Sequence, residues 1–156
     1  EKRMSFTSFE EIVKFAMGKE KEAVDFYSGL AKNAVFSGAI ETLEGFAAEE
    51  QKHYDMLENL GKGEQPLGDY KFEWITDIKR SNYLVDVDDP KDMDYADLLR
   101  LAMKREEKAL KLYNELLEKA EKEEFKNVFK MLCQEEAKHK LALETMYDDY
   151  MAEQGD

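Results

Sequence analysis

A shift of 86 residues lays the second half of this chain on the first without a gap. Met17, Glu20, Ala23, Tyr27 and Leu30 fall on Met103, Glu106, Ala109, Tyr113 and Leu116. Glu49, Glu50, Lys52, His53, Leu57 and Glu58 fall on Glu135, Glu136, Lys138, His139, Leu143 and Glu144. A fixed offset of this kind marks a duplicated structural unit. Each copy carries apolar residues at a spacing of three and four, the period of an α-helix with one buried face. Two prolines in 156 residues, with abundant Glu, Lys, Leu and Ala, leave long helices unbroken. The pattern predicts an all-α chain of four helices.

Local signals place the helix ends. Ser8 with Glu11 three residues later forms a capping box, and Phe6 with Ile12 a staple, at the start of a first helix that runs to about Ala31. A polar break near Asn33 to Gly38 precedes a second helix, from about Ala39 to Leu60. It stops at Gly61-Lys62-Gly63. Asp94 and Asp97 open a third helix, to about Ala120, and a fourth follows from about Glu123 to Ala152. The hairpins thus span about 8–61 and 94–152. Between them, about 62–93, lie Pro66, Pro90, Trp74 and the acidic run Asp86 to Asp89, with one short helix predicted near Phe72 to Arg80. A connection this long can return along a helix of about 37 Å, at about 1.5 Å per residue. The expected architecture is a single domain over 1–156, a four-helix bundle of two antiparallel hairpins joined by a long crossover.

Written as heptads, each helix has a seam, and each seam is apolar except at mid-length. The first reads Phe9, Val13, Ala16, Glu20, Ala23, Tyr27, Leu30 and the third Tyr95, Leu99, Ala102, Glu106, Ala109, Tyr113, Leu116. The second reads Leu43, Phe46, Glu50, His53, Leu57, Leu60 and the fourth Phe129, Leu132, Glu136, His139, Leu143, Met146. The two histidines of the chain therefore both stand in Glu-x-x-His, on the seam, one turn after a glutamate. Four carboxylates on buried faces repel one another and resist desolvation, so positive charge must accompany them. Lysine and arginine are missing from these seams near the glutamates. Two divalent cations balance four carboxylates, with the histidines completing the ligand sets as neutral imidazoles. One Glu from each of two helices plus Glu-x-x-His from the other two is the inward-facing set of dimetal carboxylate bundles. The metal ligands predicted are Glu20, Glu50, His53, Glu106, Glu136 and His139.

Composition removes other classes. With 36 acidic and 23 basic residues the net charge is -13, a poor match to nucleic acid or anionic lipid. No run of eighteen apolar residues suggests a membrane span, and the start lacks the apolar core of a signal peptide, so a cytoplasmic protein is expected. The single cysteine, Cys133, cannot form an internal disulfide or a four-cysteine metal site. It falls one turn before Glu136 and reads as an inert thiol. Glu22, Glu49, Glu107 and Glu135 neighbour the proposed ligands but project off the seam, onto solvated faces. Met17 and Met103 read as core filler, and Trp74, Tyr70 and Phe72 as cover for the bundle or a subunit contact.

Glu-x-x-Ala-x-x-x-Tyr followed by Glu-x-x-His, present twice, resembles the diiron domain of the rubrerythrin family, within the ferritin-like superfamily. The resemblance covers about 9–60 and 95–150. It implies that Glu20 and Glu106 are terminal ligands, that Glu50 and Glu136 bridge two irons, and that His53 and His139 bind one iron each. Tyr27 and Tyr113 match tyrosines that hydrogen-bond the ligand carboxylates. It also implies a diiron oxidoreductase that reduces peroxide or dioxygen. Met103 replaces the extra glutamate that a typical rubrerythrin carries, which makes the site more symmetric, as in bacterioferritin-type centres. The rubredoxin-like four-cysteine domain is absent, so electrons would come from a separate donor such as a rubredoxin-like protein. A homodimer or larger assembly is expected, because each half is a complete hairpin. Three other readings use the same residues: a ferroxidase or iron-storage protein, disfavoured by the short tail after the fourth helix; a dimanganese catalase-like protein; and a metal-free helical interaction module.

Overall fold

A computed structural model describes residues 8–33, 37–61 and 94–154 of the chain. Four helices account for them, α1 Phe9–Asn33, α2 Ser37–Gly61, α3 Tyr95–Lys119 and α4 Glu123–Glu153, with no strand among the described residues. The all-α expectation is borne out, with helix ends within two residues of those read from the sequence. Phe6 and the stretch 62–93, with Pro66, Tyr70, Phe72, Trp74 and Pro90, lie outside the described residues. The chain divides into two compact units, Glu1–Tyr70 around α1 and α2 and Lys71–Asp156 around α3 and α4.

In the first unit, Ser8 Oγ accepts the Glu11 backbone N–H at 3.2 Å, satisfying one of the four donors that every helix start leaves open. Glu10 and Glu11 at this end and Lys32 at the other both oppose the helix dipole. The buried stripe of α1 is Ile12, Val13, Ala16, Ala23, Tyr27, Leu30 and Ala31, and that of α2 is Ala39, Leu43, Ala47, Leu57 and Leu60. The helices are antiparallel: Gly61, last in α2, comes so near the start of α1 that a Cβ there would lie 3.1 Å from Val13 Cγ1. Glycine at 61 serves this close approach as well as helix termination.

The second unit repeats the plan. Asp94 Oδ1 accepts the Asp97 N–H at 2.8 Å, and Asp97 Oδ2 accepts the Asp94 N–H at 3.4 Å, a complete capping box. The start of α3 meets the end of α4, where Arg100 donates to Tyr147 Oη at 2.9 Å and pairs with Asp97. The rings of Tyr95 and Tyr150 meet edge to face at 4.9 Å. Burial acts to lower the Arg100 pKa, but the hydrogen bonds to Asp97 and Tyr147 outweigh it and hold the guanidinium above its ordinary value. Leu98, Leu99, Ala102, Met103 and Leu116 pack with Phe125, Val128, Phe129, Met131, Leu132 and Leu143 as the core. Met103 is a core residue as expected, and Met17 is half-buried.

Removing the carboxylate that closes the α3 capping box should destabilise the chain measurably. Asp94→Ala is expected to cost about 1 kcal/mol in urea unfolding followed by circular dichroism. A midpoint unchanged from the parent would show that the box contributes nothing.

Candidate metal centre

The heptad seam puts Glu20 of α1 opposite Glu50 and His53 of α2, because residues three apart on α2 share one face. In the first unit these side chains converge. His53 Nδ1 lies 3.2 Å from Glu20 Oε1 and 3.3 Å from Glu50 Oε1. All three residues are buried, with exposures of 2% for Glu20 and 3% for Glu50 and His53. The neighbouring turns of the stripe supply Ala16, Ala23, Leu43, Ala47 and Leu57, all buried.

The second unit builds the same set from Glu106 of α3 and Glu136 and His139 of α4. His139 Nδ1 lies 3.8 Å from Glu106 Oε1 and 3.9 Å from Glu136 Oε1. Both glutamates are buried, but the His139 side chain keeps 18% of its exposure. Each hairpin thus brings two carboxylates and one imidazole together in its interior, all through corresponding atoms.

Tyr27 and Tyr113, two turns after Glu20 and Glu106, are each 1% exposed. The Tyr27 ring meets Phe26 and Phe46 edge to face, at 5.2 and 5.3 Å. Of the four off-seam glutamates, Glu22 and Glu49 lie on the solvated face, Glu107 is half-buried, and Glu135 keeps only 15% of its side-chain exposure, contrary to expectation. Glu22, Glu49, Glu107 and Glu135 pair with Lys19, Lys52, Lys104 and Lys138 across one turn, at 3.9, 3.1, 3.7 and 3.0 Å. Cys133 is half-buried, and burial pushes its thiol up to about 12.

One buried charge escaped the seam reading. Lys140, which follows His139, is 4% exposed and reaches Glu144, which is 0% exposed, at 3.2 Å. The i,i+4 spacing of opposite charges was visible in the sequence, but it reads equally as a surface pair. The repeat concealed it too, since Lys140 aligns with Tyr54. The interior of the second hairpin therefore does contain a cation, off the seam from which lysine and arginine are missing. Its partner Glu144 makes it half of a buried ion pair within α4.

The profile of the Ferritin-like domain family matches residues 9–148. The chain belongs to this family. A solved structure of a hypothetical protein from Pyrococcus furiosus is similar to it, with 27% identity over 91% of this chain and 89% of that one, and a TM-score of 0.55. A search of curated proteins found no match. The expected ferritin-like fold is thereby established, and among the described residues no helix is long and apolar enough to cross a membrane.

The donor chemistry of this ferritin-like chain fits metal binding. Two donor atoms on one ion at about 2.1 Å stand about 3.0–3.4 Å apart for angles of 90–110°. The contacts of 3.2 and 3.3 Å around His53 match that spacing. Carboxylate oxygen with imidazole nitrogen suits divalent iron, manganese or zinc. The six residues could hold two such ions.

Two outcomes follow for the residues beside the Glu/His sets. Lys140→Met should cost about 3 kcal/mol or more, because Glu144 stays buried without its ammonium, whereas adding Glu144→Leu should recover most of the loss. Equal losses in the single and double variants, measured by urea unfolding, would contradict a desolvated pair. Cys133 should resist iodoacetamide at pH 8 in the native chain and react once unfolded. Because its folded pKa is raised, its stabilising contribution is complete below the ordinary thiol range and declines as pH climbs toward about 12. Native alkylation as fast as that of the unfolded chain would contradict this.

Proposed function

We propose that the chain is a dinuclear-metal oxidoreductase of rubrerythrin type, which reduces peroxide or dioxygen with electrons from a separate donor. The observation that carries the reading is the double convergence of Glu, Glu and His inside the two hairpins, at identical positions of the repeat. It requires the two sets to close on one metal pair, within one domain or between two copies of the chain.

By the resemblance to rubrerythrin, Glu20 and Glu106 would be terminal ligands, Glu50 and Glu136 would bridge, and His53 and His139 would each supply one nitrogen. Two irons bound in this way supply the two electrons that peroxide needs, with two protons, to become two waters. The chain's own side chains hold and shield the centre. The buried apolar turns on either side keep bulk water from the carboxylates and strengthen their attraction for cations. Tyr27 and Tyr113, buried two turns after Glu20 and Glu106, would orient ligand carboxylates through their hydroxyls, as the resemblance implies. A lone cysteine cannot relay electrons as a disulfide pair, which supports an external donor such as a rubredoxin-like protein. The proposed setting is the cytoplasm.

The reading is tested on protein purified without chelators. It should contain two metal ions per chain by elemental analysis, and its anaerobically reduced iron form should be oxidised by one equivalent of peroxide. Glu50→Ala and Glu136→Ala should each lose most of the bound metal and slow that oxidation by about a hundredfold or more. A reduced protein unchanged by peroxide would exclude the reductase reading. A hollow assembly retaining hundreds of irons would favour storage. Full metal binding by both variants would exclude these ligands.

A further inference from the structure

The two halves part company in charge on the side of α3 turned away from Glu106. Lys104, Arg105, Lys108 and Lys111 stand where α1 has Gly18, Lys19, Glu22 and Asp25. At about 100° per residue, Lys104, Lys108 and Lys111 fall within about 60° of one another and about 140–160° round the helix from Glu106, with Arg105 on the flank. Lys108 and Lys111 are exposed, and Lys104 and Arg105 are half-buried. In α1 the corresponding acids are taken up in local pairs, Glu22 with Lys19 at 3.9 Å and Asp25 with Lys21 at 3.4 Å. In α3, Lys104 pairs with Glu107 at 3.7 Å, while Lys108 and Lys111 meet no acid at ion-pair distance among the described residues. Glu115, exposed one turn beyond Lys111, bounds the patch.

We propose that this basic face of α3 is the docking surface of an acidic electron-carrier protein, which delivers one electron at each encounter. This rests on the oxidoreductase reading above and adds where the donor binds and which charge it carries. A chain of net charge -13 repels an acidic protein over most of its surface, so a local run of cations gives such a partner one favoured orientation. A basic carrier would be attracted almost everywhere and gain no orientation from it. Position gives the patch its use. Lys104 and Arg105 precede Glu106 in the chain, and Lys108 and Lys111 follow it, so the patch lies level with that carboxylate. A carrier docked there is separated from Glu106 by the thickness of α3, roughly 10–12 Å. The same level of α1 is mixed in sign and offers no such preference. Each encounter oxidises the carrier by one electron. Two encounters supply the pair that, with two protons, turns one peroxide into two waters.

The probe is a rubredoxin-like protein of net negative charge, prepared with zinc in place of iron so that binding is read without electron transfer. Titrated into the full chain at low ionic strength and followed by calorimetry, it should bind, and sodium chloride at about 0.3 M should release it. Lys104→Glu, Lys108→Glu and Lys111→Glu combined should weaken binding about tenfold or more, and Lys104→Gln, Lys108→Gln and Lys111→Gln combined by less. The same change of charge on α1, through Lys14→Glu, Lys19→Glu and Lys21→Glu, should leave binding within about threefold of the parent. Circular dichroism checks that each variant keeps its helicity. With the iron form of the carrier, reduction of the oxidised iron-loaded chain should slow in the same order, while peroxide oxidises the reduced chain at the parent rate in every variant. No binding by the parent, equal weakening by the α1 and α3 sets, or an α3 set that binds as the parent does would overturn the docking surface. Binding that depends on α3, by a chain whose reduced form ignores peroxide, would uphold the surface and overturn the oxidoreductase reading.

Discussion

Carboxylates inside a helical core are the constraint on which the rest of this structure depends. Glu20, Glu50, Glu106 and Glu136 occupy positions on otherwise largely apolar seams, and each is at most 3% exposed. An ionised carboxylate in such a place costs several kcal/mol unless charge and hydrogen bonds compensate. A chain with a net charge of -13 has acid to spare on its surface, so placing four more acids indoors is no consequence of composition. One buried lysine, Lys140, shows how the fold treats such a problem where a side chain solves it: Glu144 stands against it, one turn away. Glu20, Glu50, Glu106 and Glu136 are grouped with imidazoles, an arrangement that makes sense when cations are bound.

Duplication is the economical route to such a centre. A single hairpin offers two carboxylates and one imidazole, half of what two ions need, and repeating it supplies the remainder with the same donor atoms.

Much of this was legible in the sequence because helices report their buried faces at a fixed period. Every residue of the α1 seam from Val13 to Leu30 is buried, and the burial of Glu20, Glu50, Glu106 and Glu136 followed from that one pattern. Caps were readable for the same reason, since Ser8 with Glu11 and Asp94 with Asp97 are local geometry. What the period could not give was anything one step off the seam. Lys140 and Glu144 sit beside the heptad positions, and their burial depends on packing at the flank of α4, which spacing alone does not encode. Nor could sequence reveal that His139 is more open than His53, because both occupy the same place in the same motif.

The central claim is that these six side chains enclose cations. Crystals grown with iron or manganese supplied, with diffraction recorded on both sides of that metal's absorption edge, test it most directly. The account predicts two anomalous peaks, bounded by Glu20, Glu50, His53, Glu106, Glu136 and His139. A map with no peak there, or with those side chains turned to solvent, would contradict it.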